Sequence, residues 1–204
     1  MLMTALPAKP GTDLASKLLL QDSQLKNMII AEVVGKGIGG EAYYVGPLIV
    51  EIQQKVNQPF MARAIRYCLD IFEETTIVPI LVVFNVKGFS GTQFLKETFT
   101  KADDQCFYTL YCHPWAKSVY IYNADSIAKH MSTPLQPIIA LANFFTQQQR
   151  HLMTLDEFND PTLHTIYRAA YTSFSKHCAQ QSDQLKTMQE FCDAISLQFG
   201  KIIT

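Results

Sequence analysis

The segment from Leu48 to Val86 constrains the fold most strongly, because its hydrophobic periodicity changes twice. From Leu48 to Lys55, side chains that alternate along a strand would form one apolar face and one largely polar face, which predicts a half-buried strand. Helical spacing follows, and Val78–Val86 is then a near-continuous β-branched and aromatic run, typical of a central strand buried on both faces. A strand, a helix and a buried strand in this order predict a right-handed parallel crossover. The expected class is α/β, with a mixed central sheet, flanking helices and a helical C-terminal part.

The helix within this segment has a recognisable start and two distinct sides. Asn57 or Gln58 can cap it, and Pro59 lies in its first turn. The residues expected to pack on the sheet are Met61, Ile65, Cys68, Leu69 and Phe72. A different side carries, at spacings i, i+3 and i+4, the residues Arg63, Arg66 and Tyr67.

Before this segment, the sequence predicts a short helix and a hairpin. Asp13 can cap a helix that runs to about Leu20. Met28–Val34 is a compact apolar run and is interpreted as a strand, and Ala42–Ile52 is interpreted as a second strand. The glycines between them favour a long hairpin tip.

After this segment, the predicted elements are a strand at Ser118–Tyr122 and helices at Thr133–Gln148, Thr162–Gln180 and Asp183–Phe199. With 204 residues, 48% of them apolar and 17% charged, the chain fits one domain with a real core. We expect an α/β core over residues 12–125 and a helical C-terminal extension over residues 126–204.

The net charge and the cysteine content indicate which partners and which cellular compartment to expect. The net charge of −1 supplies no global positive field for nucleic acid, although a local cleft remains compatible with DNA. The five cysteines are odd in number and form no Cys-x-x-Cys pair, which favours free thiols in an intracellular protein, cytoplasmic or nuclear. No apolar run approaches the ~20 residues that a membrane span needs, so no membrane partner is expected.

The strand at Leu48–Lys55 is the most informative feature for function. Leu48, Val50 and Ile52 share one face, and that face is apolar. The other face carries Ile49 and then a carboxylate, an amide and an amine in a row: Glu51, Gln53 and Lys55.

Two other motifs give weaker indications of function, one for a nucleotide site and one for a zinc site. Gly35, Gly37 and Gly40 match G-x-G-x-x-G, but a strand is predicted after them, and the kinase His-Arg-Asp and Asp-Phe-Gly motifs are absent. The residues that suggest zinc, Cys106, Cys112, His113 and His130, match no standard zinc spacing. Buried thiols and surface imidazoles are the better interpretation.

Three segments together resemble a known family. They are Ile49-Val50-Glu51-Ile52-Gln53, Phe60-Met61-Ala62-Arg63-Ala64-Ile65-Arg66-Tyr67, and Val78-Pro79-Ile80-Leu81-Val82-Val83-Phe84. In order and spacing they are similar to the PD-(D/E)XK nuclease superfamily, and more narrowly to its transposase-like, recombination-promoting branch. The resemblance covers about residues 28–86. It implies a restriction-endonuclease-like core and a magnesium-dependent DNA endonuclease of mobile-element type.

The resemblance also implies roles for individual residues. Glu51 matches the second acid of the family, and Gln53 its third position, where an amide can position water but not deprotonate it. Lys55 can assist, and Arg63, Arg66 and Tyr67 are the expected nucleic-acid contacts.

The sequence departs from the family's pattern at the position of the first acid. The preceding segment, Lys26–Glu32, contains no aspartate, and Glu32 is its only acid. Glu32 is therefore the candidate second metal ligand beside Glu51. If Glu32 does not bind the metal, the alternative is a catalytically inactive, nuclease-like interaction module. Its C-terminal helices would bind a second copy or another protein.

Overall fold

A computed structural model of the chain describes residues 6, 9–34, 46–157 and 159–200. The strands are β1 (Leu48–Gln53), β2 (Ile80–Asn85) and β3 (Ser118–Tyr122). The helices are α1 (Asp13–Leu19), α2 (Ser23–Val34), α3 (Gln58–Thr75), α4 (Thr92–Thr98), α5 (Ala124–Ile127), α6 (Pro137–Gln147) and α7 (Pro161–Gly200), with 3-10 turns at Ala128–His130 and Leu152–Thr154.

The sheet has the order β1-β2-β3, and its neighbouring strands are parallel. The parallel pairing of β1 with β2 through α3 confirms the strand–helix–strand prediction, and every residue of central β2 is buried, as predicted. In the part of the chain described here the sheet is parallel rather than mixed. The antiparallel pairing of Tyr108 with Ile121 is an isolated bridge beside β3.

The predicted strand at Met28–Val34 is wrong, because this segment belongs to helix α2. Leu25 and Ile29, four residues apart, are both buried, whereas Ile30 is exposed. The missed signal is Asp22, whose carboxylate accepts hydrogen bonds from the backbone N–H groups of Gln24 and Leu25. The predicted hairpin is wrong with it, and its glycine-rich tip lies outside the described residues.

Helix α3 begins and ends as its sequence dictates. The Asn57 side chain accepts a 2.9 Å hydrogen bond from the Phe60 N–H, which confirms the cap. The helix ends at Thr76, which adopts a left-handed conformation with φ of 59°. Its buried side consists of Phe60, Met61, Ala64 and Cys68. The predicted packing of Leu69 and Phe72 is wrong, because each is 42% exposed.

The C-terminal helices differ from prediction in one respect. Helix α6 falls within the predicted Thr133–Gln148 segment, but the two helices expected after it form a single helix, α7. No proline or glycine interrupts residues 162–199, so nothing forces a break near Ser182.

The sheet separates two cores. On one face, β2 residues Ile80, Val82 and Phe84 pack against α1, α2, α6 and the first half of α7. On the other face, Leu81 and Val83 pack against α3 and against aromatic residues of the segment 89–115 that the sequence left unplaced. We call these the C-terminal-helix face and the α3 face. Among the described residues, no helix is long and apolar enough to cross a membrane.

Candidate functional site

The alternation predicted for β1 places its polar residues on the α3 face. Leu48, Val50 and Ile52 pack against the core of the C-terminal-helix face. Ile49 packs against the α3 core, and Glu51 and Gln53, two and four residues further along, share its side of the strand. Both side chains are only partly buried. The row therefore stands at the carboxyl-terminal half of an edge strand, on the face that the C-terminal helices leave uncovered.

Glu51 is a carboxylate in an environment that disfavours its charge. Partial burial raises its pKa above the usual value, and the nearby Arg63 guanidinium opposes that shift by the smaller amount. Arg63 reaches β1 from the second turn of α3. The sheet and this helix thus bring an acid and a cation together from residues that are twelve positions apart in the sequence.

The same arginine fixes the amide of Gln53. An Arg63 Nη donates a 3.2 Å hydrogen bond to the Gln53 Oε1, while Gln53 Nε2 donates one of 3.1 Å to the Lys55 carbonyl. The guanidinium also lies over the Phe60 ring, 5.4 Å from its centroid. Because both ends of the amide are engaged, its oxygen and nitrogen have a defined orientation.

Asn85 belongs to this row, although the sequence analysis did not select it. It is the register partner of Gln53 at the end of β2 and points to the same side of the sheet as Leu81 and Val83. Its side chain has no exposed surface, and neither its Oδ1 nor its Nδ2 has a hydrogen-bond partner. The signal available in the sequence was a polar residue at the end of an otherwise apolar central strand. Such a residue stands out because a buried amide without a hydrogen-bond partner costs stability.

The other predicted residues lie around this row without joining it. Lys55 follows β1 in a bend, and its side chain is exposed. Arg66 and Tyr67 lie about one turn beyond Arg63 on the exposed side of α3, where Tyr67 is 39% exposed.

Glu32 is on the opposite face of the sheet. It stands near the end of α2 and lines a cavity with Tyr120 and Tyr122 of β3, whose side chains belong to the core of the C-terminal-helix face. Glu51 faces α3 instead. The sheet therefore separates the two carboxylates that the sequence analysis paired as metal ligands.

The donor set on the α3 face is sparse but chemically suited to a hard cation. Among the described residues, no three His, Cys, Asp or Glu side chains are grouped as metal ligands. Mg²⁺ is nevertheless commonly held by one or two carboxylates together with substrate phosphates and water. Glu51 offers one carboxylate, and Asn85 offers an amide oxygen on the neighbouring strand. The row thus offers a single carboxylate for such an ion, and most of the remaining oxygen ligands would have to come from water and a bound phosphate.

No family model, no curated protein and no solved structure matches the chain.

Proposed function

We propose that this chain is a nuclease-like protein that hydrolyses phosphodiester bonds of DNA at the polar row of β1. The observation that carries the proposal is the contact of Arg63 with Gln53, beside the half-buried Glu51, at the open edge of a parallel sheet. Ligands of open α/β sheets bind at the carboxyl ends of the strands, which is where this row ends. The resemblance of residues 28–86 to the PD-(D/E)XK superfamily points to the same row.

The cations would bind the nucleic acid. Arg63 can donate to a phosphate from a position already fixed by Gln53 and Phe60. Arg66 and Lys55 are exposed and would contact neighbouring phosphates. Such a local cluster suits a chain with a net charge of −1, because binding then depends on a few placed contacts rather than on a global field.

The polar groups of the row would order the reacting water. Gln53 cannot accept a proton at neutral pH, so its amide can only hold a water in line with the phosphorus. Glu51, together with the amide oxygen of Asn85 beside Gln53 on the neighbouring strand, would hold Mg²⁺. When bound, that ion stabilises the negative charge that develops on the phosphoryl oxygens. The raised pKa of Glu51 makes its carboxylate less available at acidic pH.

The test is Mg²⁺- or Mn²⁺-dependent cleavage of supercoiled plasmid by the wild type and by Glu51→Gln and Glu32→Gln. Both substitutions remove one charge and conserve size. The proposal expects cleavage that needs the metal, that is lost by at least about a hundredfold in Glu51→Gln, and that persists in Glu32→Gln. Loss in both variants would implicate both faces and refute the assignment to β1.

A second candidate is the catalytically inactive interaction module. The separation of Glu32 from Glu51 across the sheet favours it, because the family's paired acids are then not assembled. Under this proposal the C-terminal helices bind a protein partner, and a plasmid is not cleaved at any metal concentration. Wild-type protein that gives no nicked product, with active metal controls, would support the module over the enzyme.

A further inference from the structure

The second half of helix α7 extends beyond the core of the protein. In its first half the helix buries one residue in each turn within the core of the C-terminal-helix face, namely Leu163, Tyr167, Ala170 and Phe174. From Cys178 to Gln189, every residue whose side chain the structure describes is exposed, and the helix continues to Gly200. We call residues 178–200 the projecting segment. At a rise of about 1.5 Å per residue, it is roughly 35 Å long.

The row of residues that α7 buries in its first half continues along the projecting segment. In sequence, a spacing of four and three residues leads from Phe174 through Cys178, Gln181, Leu185, Met188, Cys192, Ile195 and Phe199. We call the seven positions after Phe174 the stripe; Gln181 is its one polar member. At 3.6 residues per turn, the stripe occupies an arc of about 100° in line with the buried residues of the first half. This is the a/d spacing of a coiled coil, sustained over three heptads.

Two large side chains of the stripe are exposed to water. Leu185 is 69% exposed and Met188 is 66% exposed, although they are three residues apart on one side of the helix. Helices in proteins gain most of their stability from packing an apolar face, and propensity alone barely holds a helix of this length in water. A second helix packed on the stripe would supply that stability.

The charges of the projecting segment indicate which kind of partner fits. The charged residues are Asp183, Lys186, Glu190 and Asp193, and all four fall at the b and f positions, away from the stripe. With three acids and one lysine, the segment is repelled by DNA phosphates and by anionic lipids. The e and g positions beside the stripe are uncharged, so a strongly charged helix would find no counter-charges there. An identical helix, by contrast, brings no like charges together.

We propose that the projecting segment pairs with the same segment of a second copy of this chain, as an antiparallel two-helix coiled coil. The orientation follows from the core, which lies on the stripe side of α7 in its first half. In a parallel pair the two cores would lie on the same side at the same end and would overlap. An antiparallel pair places them at opposite ends of the coiled coil, around a twofold axis near the middle of the segment. The proposal does not depend on catalysis at β1, and it identifies the partner of the C-terminal helices.

The first test is sedimentation equilibrium of the full chain at about 1–100 μM, without DNA or metal ions, so that its outcome is separate from that of the cleavage test. The wild type should dimerise in this range. Leu185→Glu should raise the dissociation constant at least about thirtyfold, because the twofold symmetry places a charge in the apolar interface twice. Ala179→Glu is the matched control: it adds the same charge on the opposite side of the helix and should change the constant less than about twofold.

Both substituted residues are exposed, so both variants should keep the fold of the wild type, which circular dichroism checks. A wild type that stays monomeric over the whole range would overturn the proposal. So would a dimer that Leu185→Glu leaves unchanged, or one that both variants weaken equally.

The second test examines the orientation of the two helices. Cys178 is a free, exposed cysteine at an a position, where a parallel pair would bring it against its own copy. In the antiparallel pair the two Cys178 side chains are about 30 Å apart. Oxidation of the dimer with copper phenanthroline should therefore give the same products for the wild type and for Cys178→Ser on a non-reducing gel. A disulfide-linked dimer that disappears in Cys178→Ser would overturn the antiparallel arrangement.

Discussion

The two faces of the sheet use the same three strands in different ways. The C-terminal-helix face buries large apolar and aromatic side chains beneath α1, α2, α6 and α7. The α3 face has a smaller core, and at the end of β1 and β2 it carries Glu51, Gln53 and Asn85 in place of apolar residues. Stability is therefore concentrated on one face, while the other face holds polar groups that cost stability. Polar groups of this kind are typical of binding and catalytic sites.

The largest expected effect tests where the stability lies. Phe84 is fully buried between Tyr122 and Phe145, so Phe84→Ala should lower the free energy of unfolding by about 3–5 kcal/mol. The control is Phe72→Ala on α3, which should lower it by only about 1–2 kcal/mol, since that ring is 42% exposed. Equilibrium denaturation measures both. Similar losses in the two variants would contradict the division between the faces.

A smaller effect compares two buried asparagines at the ends of neighbouring strands. Asn85 has no hydrogen-bond partner, so Asn85→Leu should raise the free energy of unfolding by about 1–2 kcal/mol. Asn123 accepts a 2.8 Å hydrogen bond from the Ser126 N–H as the cap of α5, so Asn123→Leu should lower it by about 1–2 kcal/mol. Denaturant titration gives both values. Destabilisation in both variants would mean that Asn85 already has a hydrogen-bond partner. Asn85 would then no longer indicate a binding site at the end of β2.

The next effect separates the arginines of α3. Arg63 is fixed against Gln53, whereas Arg66 lies on the exposed side of the helix. Arg63→Ala should weaken the binding of a labelled DNA duplex by about tenfold, and Arg66→Ala by about twofold to threefold, each with a smaller salt dependence. Fluorescence anisotropy at several salt concentrations measures this. Equal losses would indicate a diffuse electrostatic surface instead of a placed contact.

The smallest effect concerns the pH dependence of stability. Because burial raises the pKa of Glu51 in the folded state, folding disfavours its ionised form. The wild type should therefore lose stability as the pH rises from the ordinary pKa of a glutamate through the raised folded value, and the cost should be fully present above it. Glu51→Gln should be more stable than the wild type at neutral pH, with the difference shrinking at acidic pH. Thermal melts across this range would contradict the account if the variant were less stable throughout.

The sequence predicted the fold best where local and tertiary signals agree. The periodicity of β1, the cap at Asn57 and the apolar run of β2 all point to the same strand–helix–strand unit. Around Met28 the apolar run fits a strand or a helix equally, and the cap at Asp22 and the packing of Leu25 and Ile29 decide for a helix.

For a similar reason, the sequence predicted the placement of only some residues of the candidate site. Alternation along β1 is local, so Glu51 and Gln53 could be placed on one face from sequence alone. The position of Glu32 depends on which face α2 covers, and the importance of Asn85 depends on a register with Gln53 across two strands. Both are tertiary facts, which a single sequence does not contain.

The central claim is that the functional metal and phosphate site is on the α3 face. The most direct measurement is paramagnetic broadening of backbone amide NMR signals by Mn²⁺ in the presence of a DNA duplex. Our account predicts strong broadening at Arg63 in α3 and little at Glu32 in α2, on the other side of the sheet. Broadening centred on Glu32, or the same slight broadening at both positions, would contradict it.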